Sequence, residues 1–158
     1  MMKAVTLVLA VLVLAACDSA PQSGRSGQES AAAQDVSAPL RRWYSFEQVG
    51  EGGRLFAARC ATCHGQGAVG WRQPSPDGRY PAPPLNGTGH AWHHPLQMLF
   101  RVVKDGSPGG QGNMPAWGAK LSNAEILAVI AWFQSRWPEK VYRTWVGIDH
   151  RARTEGRG

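Results

Sequence analysis

The chain has 158 residues, is 43% hydrophobic and 18% charged, and sets 17 Lys and Arg against 11 Asp and Glu, a formal net charge of +6. That length holds one modest domain with appendages or two very small ones, and the apolar share excludes a fully disordered chain. The basic residues are scattered, with Arg41-Arg42 the one adjacent pair, which leaves no basic stripe for nucleic acid, and three Cys are too few for a disulfide scaffold.

Lys3 precedes an unbroken run of Ala, Val, Leu and Thr from Ala4 to Ala16. At ~1.5 Å per residue this run reaches only about 20 Å, short of a ~30 Å hydrocarbon core, so it has the form of a secretory signal rather than a span. Its end, Leu14-Ala15-Ala16-Cys17, resembles the lipobox of bacterial lipoproteins. The resemblance implies a signal peptide over 1–16, cleavage before Cys17, acyl chains on that residue and a home on the periplasmic side of the cell membrane. An ordinary Ala-Ala cleavage site followed by an incidental Cys is the alternative. Residues 17–42 follow as an acylated Cys and flexible tether. The stretch 18–42 contains no aromatic residue, and its only large aliphatics are Val36 and Leu40, so it cannot offset its own ordering entropy.

Aromatic residues begin at Trp43, and the ordered domain is expected over 43–138. A helix pattern containing Gly52, Leu55 and Phe56 ends at Cys60-Ala61-Thr62-Cys63-His64. C-x-x-C-H is the attachment pattern of c-type haem: two thiols one helical turn apart meet the two vinyl groups, and the next residue brings an imidazole under the iron. A thioredoxin-like pair would need a strand before the motif, and none is patterned there. A zinc site would need further ligands, for which His90, His93 or His94 could serve. The surroundings resemble the class I cytochrome c family over residues 46–137. Gly52, Leu55, Phe56 and the motif with Gly65 match its G-x-x-[LIV]-[FY]-x-x-x-C-x-x-C-H-G opening.

The stretch from Gly67 to Ala82 is expected as an extra surface loop, with Trp71, Tyr80, Arg72 and Arg79 on it. Next, Pro83-Pro84-Leu85-Asn86-Gly87 resembles the family's P-x-L-x-G turn. That resemblance implies that Pro83 offers its carbonyl to the Nδ1–H of His64 and that Leu85 packs on the haem face. His90, His93 and His94 are left unexplained by the family: they could hold copper or zinc, or cap the following helix and bond a propionate. That middle helix is expected from about Pro95, at its first position, to Lys104. Gly112-Asn113-Met114-Pro115-Ala116-Trp117 matches the family's M-P-A-aromatic loop, which implies Met114 as the sixth iron ligand, whereas Met98 falls inside the middle helix.

Ser122-Asn123-Ala124-Glu125 is a capping box, and Ile126, Val129, Ile130, Phe133 and Trp137 recur at helical spacing until Pro138. By resemblance Trp132 crosses the first helix at Gly52, while periodicity alone nominates Phe133 as more buried. Residues 139–158 are expected as a partly disordered tail on which Tyr142 and Trp145 could pack back. Taken together, the resemblance implies an all-α, small class I cytochrome c fold of three to four main helices around one covalently bound haem. It further implies a membrane-tethered periplasmic carrier of single electrons between redox partner proteins, not an enzyme. Two rivals stand beside it: a haem enzyme subunit or small-molecule sensor with a labile Met114, and a copper-handling cytochrome using His90, His93 and His94.

Overall fold

Ser45 opens the first helix, α1 (Phe46–Arg59), through a reciprocal cap in which its hydroxyl accepts from the Gln48 amide and the Gln48 side chain accepts from the Ser45 amide. The computed structural model describes residues 40–71, 81–110 and 112–156. The expected signal peptide, Cys17, the tether up to residue 39, and Arg72, Arg79 and Tyr80 lie outside the described residues. After α1 come α2 (Ala61–His64), α3 (Leu96–Asp105), α4 (Asn123–Ser135) and α5 (Glu139–Glu155), with single 3-10 turns between α2 and α4. Among the described residues the fold is all-α, as the sequence implies, and no helix is long and apolar enough to cross a membrane.

The cap of α4 is the one written in the sequence: the Ser122 hydroxyl accepts from the Glu125 amide, and the Glu125 carboxylate accepts from the Ser122 amide. Its apolar stripe is buried as patterned, with Phe133 deeper than the half-buried Trp132. The helix is however buried on nearly all sides, since Ala128, Ala131 and Gln134 are also enclosed. One side meets α1. A side chain at Gly52 would overlap the Ala128 carbonyl and lie 2.9 Å from Trp132 Cβ, and one at Gly53 would lie 2.8 Å from Trp132 Nε1. Trp132 therefore lies across the two glycines, with its ring centroid 4.2 Å from that of Phe56. Gly costs about 1 kcal/mol against Ala inside a helix, a cost offset here by the close approach of two backbones.

Residues 139–155 are not the partly disordered tail that the sequence suggests. α5 continues through Glu155, and Tyr142 and Trp145 are each 1% exposed. Trp145 Nε1 donates to the His94 carbonyl at 3.0 Å, and its ring meets Trp137 edge-on at 6.0 Å between centroids. The charged look of the segment misled because one of its charges faces inward. Asp149 is 2% exposed; its Oδ1 accepts from the Leu96 amide at 2.8 Å, and Oδ2 pairs with Arg153. α5 thus supplies the cap that α3 lacks, for Pro95 takes the N-cap position rather than the first helical one and has no side chain to offer. The expected tether also ends early: Leu40 packs on the core, and Arg42 lies 3.7 Å over the Tyr142 ring and pairs with Glu139 at 2.8 Å.

Candidate functional site

Cys60 is at once the last cap of α1 and the first of α2, so the chain turns there without leaving helical dihedrals. One turn then carries Cys63 and His64: the Cys63 and His64 amides both donate to the Cys60 carbonyl, at 3.1 and 2.9 Å. Both cysteines are free, Cys60 half-buried and Cys63 exposed. Burial, with a smaller push from Cys63, drives the Cys60 thiol up to about 11. That is the reverse of the stabilised thiolate that a redox Cys-x-x-Cys pair requires. Nor is a zinc centre assembled, because no three of His, Cys, Asp and Glu gather into a metal-holding group among the described residues.

His64 is 7% exposed, and its Nδ1 lies 3.0 Å from the carbonyl oxygen of Pro83. A carbonyl only accepts, so Nδ1 carries the hydrogen and Nε2 keeps a lone pair. Burial lowers the pKa of His64, and the Pro83 carbonyl opposes this in part. The neutral, ligand-competent imidazole is therefore favoured.

What brings Pro83 to His64 is the stretch 65–71, which runs from the motif into the start of the loop expected over 67–82. Gly65, Gly67, Ala68 and Gly70 all have positive φ, and Ala68 is fully enclosed. The Gly70 amide donates to His64 O at 2.7 Å, Trp71 to Ala82 O at 3.0 Å, and Leu85 to Ala68 O at 2.8 Å. Any side chain on Gly70 would overlap the Pro83–Pro84 peptide. Residues 65–71 are thus a clamp on the proline turn. The signal in the sequence was G-x-G-x-x-G directly after the histidine, too short a glycine pattern to declare its partner. Leu85, next along, is half-buried against the core, and its carbonyl accepts from Trp137 Nε1 at 2.7 Å.

Met114 comes from a separate loop that is tied to the end of α3. Ser107 N donates to Met114 O at 3.0 Å, and Met114 N donates to Ser107 Oγ at 3.1 Å. Gly106 has φ +86°, and a side chain there would lie 2.8 Å from the Met114 carbonyl oxygen; the Trp117 and Gly118 amides donate to Lys104 O. The Met114 side chain is half-buried on the same core as Cys60, Leu85 and Trp117. His90, His93 and His94 do not converge: His93 stacks on Trp92, at 3.7 Å between centroids, while His90 and His94 face each other at 5.8 Å. They do not cap α3 either, since Asp149 does.

Two adjacent thiols, an imidazole with one nitrogen committed and one free, and a half-buried thioether form a donor set suited to haem c. A model of the family described as cytochrome C oxidase, cbb3-type, subunit III matches residues 47–133, more than half of the chain. The chain belongs to this family. It is a c-type cytochrome, and haem-based electron transfer with redox partner proteins follows from the domain. The domain is a carrier or a carrier subunit rather than a catalyst in its own right. No solved structure matches the chain. The matched span of the cytochrome domain holds Cys60, Cys63, His64, Pro83 and Met114, whereas α5 lies beyond it.

Proposed function

We propose that this cytochrome carries single electrons on one haem c, bonded through thioethers at Cys60 and Cys63 and ligated by His64 and Met114. In the same proposal an acylated Cys17 holds it on the periplasmic side of the cell membrane. The observation that carries the haem reading is the buried His64 ring, oriented by Pro83, directly following two free thiols. When bound, the haem supplies the one-electron ferric–ferrous couple.

The chain's residues do the rest. The Pro83 carbonyl fixes the His64 tautomer and strengthens Nε2 as a donor. Phe56 and Trp132 shield the region behind the histidine, their aromatic contact extending through Phe56 to the His64 ring. Met114, its backbone amide and carbonyl both bonded to Ser107 just beyond α3, offers a soft thioether that favours the ferrous state. The matching family is described as a subunit of a cytochrome c oxidase, so a membrane-bound oxidase is the class of partner we assign.

The test is haem staining after denaturing electrophoresis. Wild type retains the stain and the Cys60→Ala, Cys63→Ala double variant loses it; covalent haem surviving in that variant overturns the attachment. Reduced wild type should be slow to take up carbon monoxide, and prompt binding would overturn a firmly held sixth ligand.

A further inference from the structure

We propose that α5, with Arg41 and Arg42 beside it, is a face that docks on a bilayer surface of anionic phospholipid. Basic residues that lie scattered along the sequence are gathered here by the fold. Residues 40–42 and 139–155 hold Arg41, Arg42, Lys140, Arg143, Arg151 and Arg153 against three acidic residues, Glu139, Asp149 and Glu155. Asp149 is buried, bonded to the Leu96 amide and Arg153, so it presents no charge outward. Glu139 is shared by Arg42 and Arg143, at 2.8 and 3.5 Å. Arg41, Lys140 and Arg151 are exposed and have no acidic partner among the described residues. Lys140, Arg143, Gly147 and Arg151 recur at helical spacing along one side of α5. Arg151 reaches back over Gly147, its Nη1 3.6 Å from where a Cβ there would stand. Next to this side a groove of about 320 Å³ runs between residues 41–43 and α5, bordered by Arg41, Arg42, His150 and Arg153. Guanidinium groups match phosphate oxygens in paired hydrogen bonds.

The point at which the chain enters the domain selects lipid over an acidic protein. The expected tether joins at Leu40, directly before Arg41, and a linker of the length between Cys17 and Leu40 spans roughly 25 Å. The face at the entry point is therefore the one kept nearest to whatever holds Cys17. That placement rests on the anchor reading, whereas the charge of the face does not. Clusters of about four to eight Lys and Arg on a helix are attracted to anionic headgroups. Neither Arg41 and Arg42 nor α5 falls within the family match over residues 47–133, so the shared domain does not account for the face.

The experiment takes the haem-loaded mature chain, residues 17–158 with Cys17→Ser, secreted behind a cleaved signal so that no acyl group contributes. At low salt it should sediment with vesicles of phosphatidylglycerol and phosphatidylcholine, and not with phosphatidylcholine alone. Salt should release it, because the Debye length shortens to about 3 Å at 1 M. Arg41→Gln, Lys140→Gln and Arg151→Gln combined should weaken binding about a hundredfold, at roughly fivefold per charge. Arg54→Gln, Arg59→Gln and Lys120→Gln combined remove the same net charge from α1 and the loop before α4, and should stay within about threefold of the parent chain. Unchanged circular dichroism in both shows that the helices are intact. Failure to bind the anionic vesicles, equal binding to phosphatidylcholine, or equal losses in the two triple variants overturns the face. Binding of soluble polyaspartate in place of vesicles also overturns it and makes an acidic protein the occupant. Failure here leaves acylation at Cys17 standing, since this chain carries no acyl group.

Discussion

Gly70 shows how a single position without a side chain can set the chemistry of another. Its φ of +64° and its contact with the Pro83–Pro84 peptide leave no room for a Cβ, and its amide is bonded to His64 O. Gly70→Val would add about 1–2 kcal/mol of left-handed strain to about 1–3 kcal/mol of overpacking. The expected outcome is a haem-loaded protein less stable by roughly 2–5 kcal/mol in urea unfolding, together with a higher reduction potential, because Nε2 becomes a weaker donor to ferric iron as Pro83 leaves His64. An unchanged potential would show that the clamp does not position the histidine. At Met114 the expectation concerns the iron directly. Wild-type ferric protein should show the weak near-infrared sulfur-to-iron band, and Met114→Ala should abolish it and lower the potential. Two imidazoles by magnetic resonance in wild type would instead make a histidine the sixth ligand.

Among the helices, the α1–α4 crossing is the contact with least tolerance. Gly52→Val should cost about 1–3 kcal/mol, because the added methyl groups meet the α4 backbone at Ala128, which cannot rotate away as a side chain could. Full stability in denaturant unfolding would refute that account. The α3–α5 contact is held differently, by one buried carboxylate. Asp149→Ala leaves the Leu96 amide without its acceptor and should cost about 1–3 kcal/mol. Faster hydrogen exchange should be confined to the first turn of α3. An effect spread evenly over α3 would mean that Asp149 acts by packing and not as a cap.

For the molecule as a whole, α5 and the segment from Leu40 to Ser45 close the side of the domain that the matched span of 47–133 does not include. Trp43 Nε1 donates to the buried Gln134 side chain at 2.7 Å, and Arg42 bridges to Tyr142 and Glu139. Trp145→Ala removes the largest fully buried side chain among the described residues and should cost about 3–5 kcal/mol. At roughly 4–8 °C per kcal/mol for a domain of this size, that is a fall in Tm of more than 10 °C. A fall of only a degree or two would make α5 an appendage. The tether is tested by Cys17→Ser, which should release a soluble periplasmic form or leave an uncleaved precursor. Membrane retention, after a high-salt wash, of a Cys17→Ser chain cleaved as in wild type would refute acylation at Cys17.

The sequence by itself determined the class, because haem attachment requires a local pattern: Cys60, Cys63 and His64 sit within one turn, and five residues suffice to state the chemistry. It also determined the start of α4, since a capping box acts within a few residues of the backbone it satisfies, whereas the helix ends at Ser135, short of the Trp137 to which the pattern ran. Only the tertiary structure decided what depends on distant pairs. Asp149 reads as one more charge in a polar tail until it is found 53 residues away from its partner amide, at the start of α3. The glycines after His64 read as a loop until Pro83 and Pro84 are laid on them. The three histidines read as one cluster, yet a 3-10 turn and a stacked Trp92 separate His93 from the other two. In each case the sequence supplied a group able to bond and left its partner open, since partners far apart in the chain are selected by packing and not by spacing.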